Sequence, residues 1–418
     1  MPELDGRRTR GTGVNPQIGV TFQGNHALPI YGWYPYVEGF SARYVNDVLD
    51  RFPKATNVFD PFGGAGTTQL AASMRGLESA YCEVNPFMTF IAETKINAAR
   101  SARLQLRETE KFIQEYLNLL DSKLVTRARG IDLQHYEKAF PGRDFFEVDD
   151  IRELLAAVDL CDELDTDSQA VKAIIRLACA ANAVGCSNMT RRADLRRRRA
   201  DEYKTRVVNV KTAVAGSLLR MLDDLRAMPE RTAETFHIGS DCRQTSDKYA
   251  SQFELAITSP PYLNGTNYFR NTKIELWLTG YISTERDVAQ YRNQAVAAGI
   301  NNVTRNRNIE HAFEPVEMVA SELDEKAGDL RIPCLVRSYF SDMYDVFSAV
   351  KRVLRPDGLL VLDIGDSKFY GVHVPTDRLL VHVADEVGLA LESDMVLAKR
   401  YSRDKSELVQ RELTFRNG

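Results

Sequence analysis

The chain has 418 residues, of which 44% are hydrophobic and 27% charged, enough apolar material for a large core. That balance excludes collagen-like, coiled-coil and wholly disordered architectures, and at ~100–200 residues per domain the length implies two or three domains or one with an insertion. The net charge is only −4, so affinity for nucleic acid has to be sought in local patches and not in the total.

Residues 1–27 are rich in Gly, Arg, Thr and Asn with little periodicity and are expected to be a flexible arm. From Leu28 an aromatic stretch leads into an amphipathic helix: Tyr44, Val45, Val48 and Leu49 recur at helical spacing behind Ser41 as its cap. A short strand (TNVFDPF), a glycine turn (GGAGTT), a helix (QLAASMRG) and a second strand (SAYCEVN) follow. This is a βαβ unit, which predicts a parallel sheet, and residues 28–100 form its first part. The alternation then stops. Leu104, Phe112, Ile113, Tyr116, Leu117 and Leu120 mark one helix, residues 151–160 and 168–185 two more, and Val207 to Leu225 a fourth. Residues 101–235 are therefore predicted to be a mainly helical insertion between the second and third strands.

The β pattern resumes in FHIGSDC (236–242) and FELAITSPPY (253–262). A helix is expected from Ser338 to Leu354, ending on a Pro356-Asp357-Gly358 turn before the strand GLLVLDIGD. A helix over 376–388 and two apolar runs, 391–400 and 411–416, complete the second part of the sheet domain, 236–418. Its segment 284–335 is polar and weakly periodic, and is expected to be a long loop or lid. The predicted fold class is α/β, a Rossmann-like sheet closed by an antiparallel hairpin.

Two constellations carry chemistry. The first is Asp60-Pro61-Phe62-Gly63-Gly64-Ala65-Gly66-Thr67-Thr68, where glycines allow a sharp turn close to a ligand and the next helix offers free N–H groups. Glu83 stands seventeen residues past Gly66, where a nucleotide-binding βαβ unit places a carboxylate on ribose hydroxyls. No Lys follows the glycines and GxGxxG is absent, which disfavours ATP and NAD. The second is Thr258-Ser259-Pro260-Pro261-Tyr262. Two prolines end the strand, so the Ser259 hydroxyl and the Pro260 carbonyl face the crevice beyond the carboxyl ends, with Pro261 stiffening the turn. They can grip an exocyclic amine while Tyr262 offers a face for stacking.

Other features are weaker. Residues 191–206 have a net charge of +5 (seven Arg and one Lys against three acids) and follow an acidic block, 144–167, of net −9. Arg191, Arg192, Arg196, Arg197, Arg198 and Arg199 are candidate phosphate contacts. Asn301, Asn302, Arg305 and Arg307 carry side chains that read base edges. Gly365-Asp366-Ser367, after the strand LLVLDI, is expected either to line a base pocket in the same crevice or to serve as a plain turn or helix cap. The six cysteines are scattered without a CxxC pair, and the six histidines lack metal spacing, so no metal is assigned and a reducing cytosol is expected. No apolar run is long enough to span a membrane, and the first residues lack a secretory block.

The pairing of DPFGGAGTT with SPPY resembles the S-adenosylmethionine-dependent DNA methyltransferases that act on exocyclic amines, over about 28–100 and 236–418. The resemblance implies a class I methyltransferase sheet and S-adenosylmethionine as cofactor. It implies that Phe62, Gly64 and Gly66, flanked by Asp60 and Thr67, hold the methionine end, that Glu83 takes the ribose, and that Asp241, next to Cys242, meets the adenine amine. The segment around Tyr36–Val45, with Phe40 and Ser41, is similar to that family's cofactor-covering helix. Within the family Ser-Pro-Pro-Tyr accompanies cytosine N4 more often than adenine N6. The expected activity is methyl transfer to cytosine N4 in a specific duplex sequence after base flipping. Adenine N6 is the runner-up, and RNA guanine N2 or a silent binding protein are further rivals. The expected partners are double-stranded DNA and a cognate restriction endonuclease or other defence subunit, in a prokaryotic, nucleoid-associated cytoplasmic setting. Pro333-Cys334 resembles the nucleophile of cytosine C5 enzymes but stands away from the fourth strand and is taken as structural.

Overall fold

The computed structural model describes residues 22–36, 39–191, 195–204, 206–263, 268–303, 307–401 and 405–418. Eleven strands are present among them: β1 (Asn57–Asp60), β2 (Glu78–Cys82), β3 (Met189–Arg191), β4 (Leu195–Arg197), β5 (Thr235–Gly239), β6 (Phe253–Thr258), β7 (Leu354–Gly365), β8 (Ser367–Phe369), β9 (Val372–Val374), β10 (Leu389–Tyr401) and β11 (Glu407–Asn417). Seven form one sheet in the order β10-β11-β7-β6-β1-β2-β5. β5, β2, β1, β6 and β7 are parallel, and β11 runs antiparallel to both β7 and β10. This is the expected Rossmann-like α/β sheet, with the expected closing hairpin. The central strands are short continuous apolar runs, as parallel strands covered on both faces have to be: Val58, Phe59, Leu255, Ala256 and Ile257 are all buried. The chain leaves β1 for β2 on one side, while β6 pairs on the other. The crevice at the carboxyl end of β1 is thus a topological switch point.

The helices Leu106–Arg129, Val148–Asp162, Gln169–Cys186 and Val210–Ala227 lie between β2 and β5 in the chain. Gln169–Cys186 is apolar around most of its circumference and runs through the middle of their shared core, which also takes in Trp33, Tyr34, Phe87 and Trp277. A second core joins β6 and β7 to the helices Arg331–Val353 and Thr376–Glu386, and a third seats the helix Ala42–Arg51 against β1 and β6.

The structure departs from the sequence expectations in several places; Leu104, for one, is exposed and ends the helix Ala99–Leu104, apart from the helix Leu106–Arg129. Segment 284–335 is not one loop, because Glu314–Lys326 is a helix that buries Val316, Ala320 and Leu323. The long helix starts at Arg331 and not Ser338, since Pro333 falls in its first turn, where a missing N–H costs nothing. Pro356-Asp357-Gly358 does not separate helix from strand; it bulges out within β7, where pairing jumps from Phe253↔Leu354 to Leu255↔Leu359. Val207 is 93% exposed and precedes its helix, which begins at Val210 behind Asn209 as cap. No described helix is long and apolar enough to cross a membrane.

Candidate active site

Each wall of the site is a strand end. At the end of β1 the fully buried Asp60 carboxylate accepts the Thr258 hydroxyl at 2.7 Å and the Phe62 N–H at 3.0 Å, tying the glycine loop to β6. Burial pushes its pKa up to about 6. The loop needs its glycines for two different reasons. A Cβ on Gly63 would collide with the Tyr81 ring, whereas Gly66 has φ +81° and would bring a Cβ within 3.0 Å of Ala92. Beneath the loop lies Lys95, 1% exposed, which donates to the Ala65 carbonyl at 3.4 Å. Burial lowers its pKa to about 7.

Glu83, directly after β2, accepts the Gly64 N–H at 2.8 Å through one oxygen and the Asn85 N–H at 2.7 Å through the other. Burial raises its pKa to about 7, against the opposing pull of those N–H groups. After β5, Asp241 caps a short turn and is held by the Arg243 guanidinium at 2.8–2.9 Å.

At the end of β6, Ser259-Pro260-Pro261-Tyr262 turns into the crevice. The Tyr262 hydroxyl donates to Asp363 on β7 at 3.0 Å. Gln410 on β11 donates to the same carboxylate at 2.7 Å and to the Tyr262 oxygen at 3.0 Å. Burial raises the Asp363 pKa to about 7. Arg400 on β10 places its guanidinium 5.5 Å from the centre of the Tyr262 ring.

One cavity of about 390 Å³ unites these walls. Phe40, Phe62, Gly64, Thr67, Glu83, Asp241 and Cys242 line it, as do all four residues Ser259, Pro260, Pro261 and Tyr262. Three residues expected at the cofactor do not line it. Asp60 and Gly66 shape the loop from behind, and the Ser41 hydroxyl accepts the Tyr44 N–H as the helix cap. The volume falls within the ~300–1,000 Å³ range of small-molecule sites, and its walls are largely apolar with polar groups at the strand ends.

The chain is similar over most of its length to two Type II methyltransferases. It is 25% identical over 417 residues to the Type II methyltransferase M.AvaI of Nostoc sp. (strain PCC 7120 / SAG 25.82 / UTEX 2576), covering 90% of this chain and 83% of that protein. It is 21% identical over 422 residues to the Type II methyltransferase M.BsoBI of Geobacillus stearothermophilus, covering 88% and 80% respectively. Among solved structures, a SAM-dependent methyltransferase from Methanosarcina mazei aligns at TM-score 0.30 and 9% identity, covering 86% of this chain and 91% of that one. No protein-family model matches the chain.

The basic residues fall in several environments. Arg191 is not on the surface. Its guanidinium is buried with Glu275 at 2.5 Å and accompanied by the Tyr34 hydroxyl at 3.0 Å. Arg196 pairs with Glu202 and Arg197 with Asp144, while Arg198 donates to the Gly185 and Ser187 carbonyls. Arg199 is exposed. Arg192 and Arg305 lie outside the described residues. Arg307 pairs with the buried Asp342 at 2.7 Å, which also accepts from Arg243 at 3.1 Å. Asn302 lines the cavity and Asn301 does not. Gly365, Asp366 and Ser367 do not line the cavity; the Asp366 carboxylate meets the His373 ring nitrogen Nε2 at 3.0 Å. Glu310, His311 and Asp345 bring ligand atoms within 4.8 Å of one another, but none of them lines the cavity.

Sequence reasoning passed over Asn85, Thr272, Gln294, Asp363, Arg400 and Gln410, all of which line the cavity. Asp363 did carry a signal, as a lone acid inside the apolar run LLVLDI.

Proposed function

We propose that this protein is an S-adenosylmethionine-dependent DNA methyltransferase that modifies the N4 amine of cytosine within a specific duplex sequence. The observation that carries the reading is the single cavity in which the glycine loop, Glu83 and Asp241 face the whole Ser259–Tyr262 turn. The similarity to two Type II methyltransferases along most of the chain supports a DNA substrate and a restriction–modification setting, with a cognate endonuclease as the companion activity. The first-turn serine of SPPY favours cytosine over adenine N6, the second reading.

The residues fit the cofactor. Glu83 lines the cavity with each carboxylate oxygen accepting one N–H, and a carboxylate is the acceptor that ribose hydroxyls require. Phe62, Gly64 and Thr67 would take the amino-acid end, and Asp241 with Cys242 the adenine. Bound there, S-adenosylmethionine supplies an electrophilic methyl on its sulfonium sulfur.

The chain's own part is to prepare the nucleophile. An exocyclic amine is weakly nucleophilic because its lone pair is delocalised into the ring. The Ser259 hydroxyl and the Pro260 carbonyl accept its two N–H hydrogens and hold it nearer a tetrahedral shape, which frees the lone pair along one direction. Pro261 stiffens this arrangement, so little reorganisation remains at the moment of transfer. The base has to leave the duplex, at a cost of a few kcal/mol, and stacking on Tyr262 returns ~1–3 kcal/mol.

The test is nucleoside mass spectrometry of plasmid DNA after incubation with the protein and labelled S-adenosylmethionine. N4-methylcytosine is expected. N6-methyladenine would overturn the base assignment, and unlabelled DNA the assignment of substrate.

A further inference from the structure

Arginines in this protein are mostly committed: Arg51, Arg191, Arg243, Arg307 and Arg411 each meet a buried carboxylate. Arg400 is different. It lines the cavity, yet forms no ion pair among the described residues, and its Nε atom is buried without a hydrogen-bond partner. Asp363, which lines the same cavity, has its oxygens engaged by Tyr262 and Gln410. What Arg400 does contact is the Tyr262 ring and the backbone of β7. Gly365 leaves room for it, since a Cβ there would collide with the guanidinium and come within 3.2 Å of the Tyr262 ring. A planar fork of N–H donors is thus parked beside the stacking face, on β10 and away from the glycine loop that would hold the cofactor.

We infer that Arg400 is a specificity-determining residue that reads the target base, donating to the carbonyl oxygen and ring nitrogen that a cytosine presents beside its amine. This rests on the methyltransferase reading above and extends it to the choice of base. Cytosine offers two adjacent acceptors, N3 and O2, matched to two guanidinium donors. Adenine offers one, N1, next to a carbon, so one donor would stay desolvated and unpaired; rejection of roughly tenfold or more follows. Gly365 is part of the same device, as the position that admits the guanidinium.

The experiment compares duplexes carrying, at the site that the wild-type protein modifies, either cytosine or the 2-aminopyridine C-nucleoside, which keeps the amine and ring nitrogen but lacks the carbonyl. For the wild-type protein kcat/KM is expected to fall about tenfold or more on the analogue. For Arg400→Met it is expected to be low on cytosine and within about twofold of that value on the analogue, with Arg400→Lys only partly restored. Gly365→Ala should behave like Arg400→Met. Equilibrium dialysis with labelled S-adenosylmethionine should give wild-type affinity for Arg400→Met, which separates lost base reading from misfolding. If Arg400→Met discriminates as sharply as the wild type, Arg400 is not the reader. If the wild-type protein methylates adenine, the inference also falls while the methyltransferase reading stands; if it methylates neither base, that reading fails first.

Discussion

The Gly64 N–H donates to Glu83 at 2.8 Å, so the carboxylate after β2 and the glycine loop after β1 form one unit before any ligand arrives. Burial places the Glu83 pKa at about 7, well above the ~4.3 of a free glutamate. A group whose folded pKa is raised holds its proton more tightly folded than unfolded. Its ionisation therefore costs stability as pH climbs from about 4 to about 7, and the cost is complete above that. Ribose hydroxyls, by contrast, need the ionised acceptor. Affinity for S-adenosylmethionine is therefore expected to rise with pH up to about 7 and then level off. Glu83→Gln should weaken binding by roughly 10–100-fold, the equivalent of charged hydrogen bonds of about 1.5–3 kcal/mol, and flatten that profile. Isothermal titration at pH 6, 7 and 8 decides the matter; a parallel pH dependence in both proteins would assign it to another group.

Tyr262 is anchored at its hydroxyl by Asp363 and Gln410, which leaves its ring as the part offered to the cavity. Tyr262→Ala should raise KM for DNA by roughly 10–100-fold through lost stacking of ~1–3 kcal/mol, with a smaller effect on kcat. Ser259→Ala should do the reverse, since it touches the amine only where charge develops. Steady-state kinetics on one oligoduplex separates the two; matching KM and kcat changes in both variants would refute the division of roles.

The parts of this molecule that sequence made legible are turns written in consecutive residues. DPFGGAGTT and SPPY each occupy one turn at one strand end, and residues of both line the cavity. Arg191 misleads because it opens an arginine-rich run in the sequence, while its partner Glu275 is 84 residues away and invisible to local charge counting. Asp363, Arg400 and Gln410 lie on β7, β10 and β11, and only the register of that hairpin brings them to Tyr262. The helix Glu314–Lys326 was hidden for a related reason: its buried face is just Val316, Ala320 and Leu323 among acids.

Arg191 and Glu275 have side chains 7% and 0% exposed, and they join the β3–β4 ribbon to the helix Lys273–Leu278 that follows the Ser259–Tyr262 turn. Removing one partner leaves the other charge buried, which typically costs about 3–5 kcal/mol. Arg191→Ala should lower stability by that order, whereas Arg191→Met combined with Glu275→Leu should recover most of it. Urea unfolding monitored by circular dichroism measures both. A fully stable Arg191→Ala with reduced DNA affinity would instead return Arg191 to the phosphate contacts.

Arg199 offers the contrasting case. It is exposed, has no side-chain partner among the described residues, and follows β4 on the ribbon that Arg191 anchors. Neutralising one phosphate releases about 0.9 of a counterion, so Arg199→Ala should reduce the slope of log K against log salt by about 1. Stability should stay within about 0.5 kcal/mol, as for surface substitutions generally. Fluorescence anisotropy on a labelled duplex across 50–200 mM salt reads the slope directly. An unchanged slope would place the ribbon outside the DNA contact and make Asn302, which lines the cavity, the next residue to test.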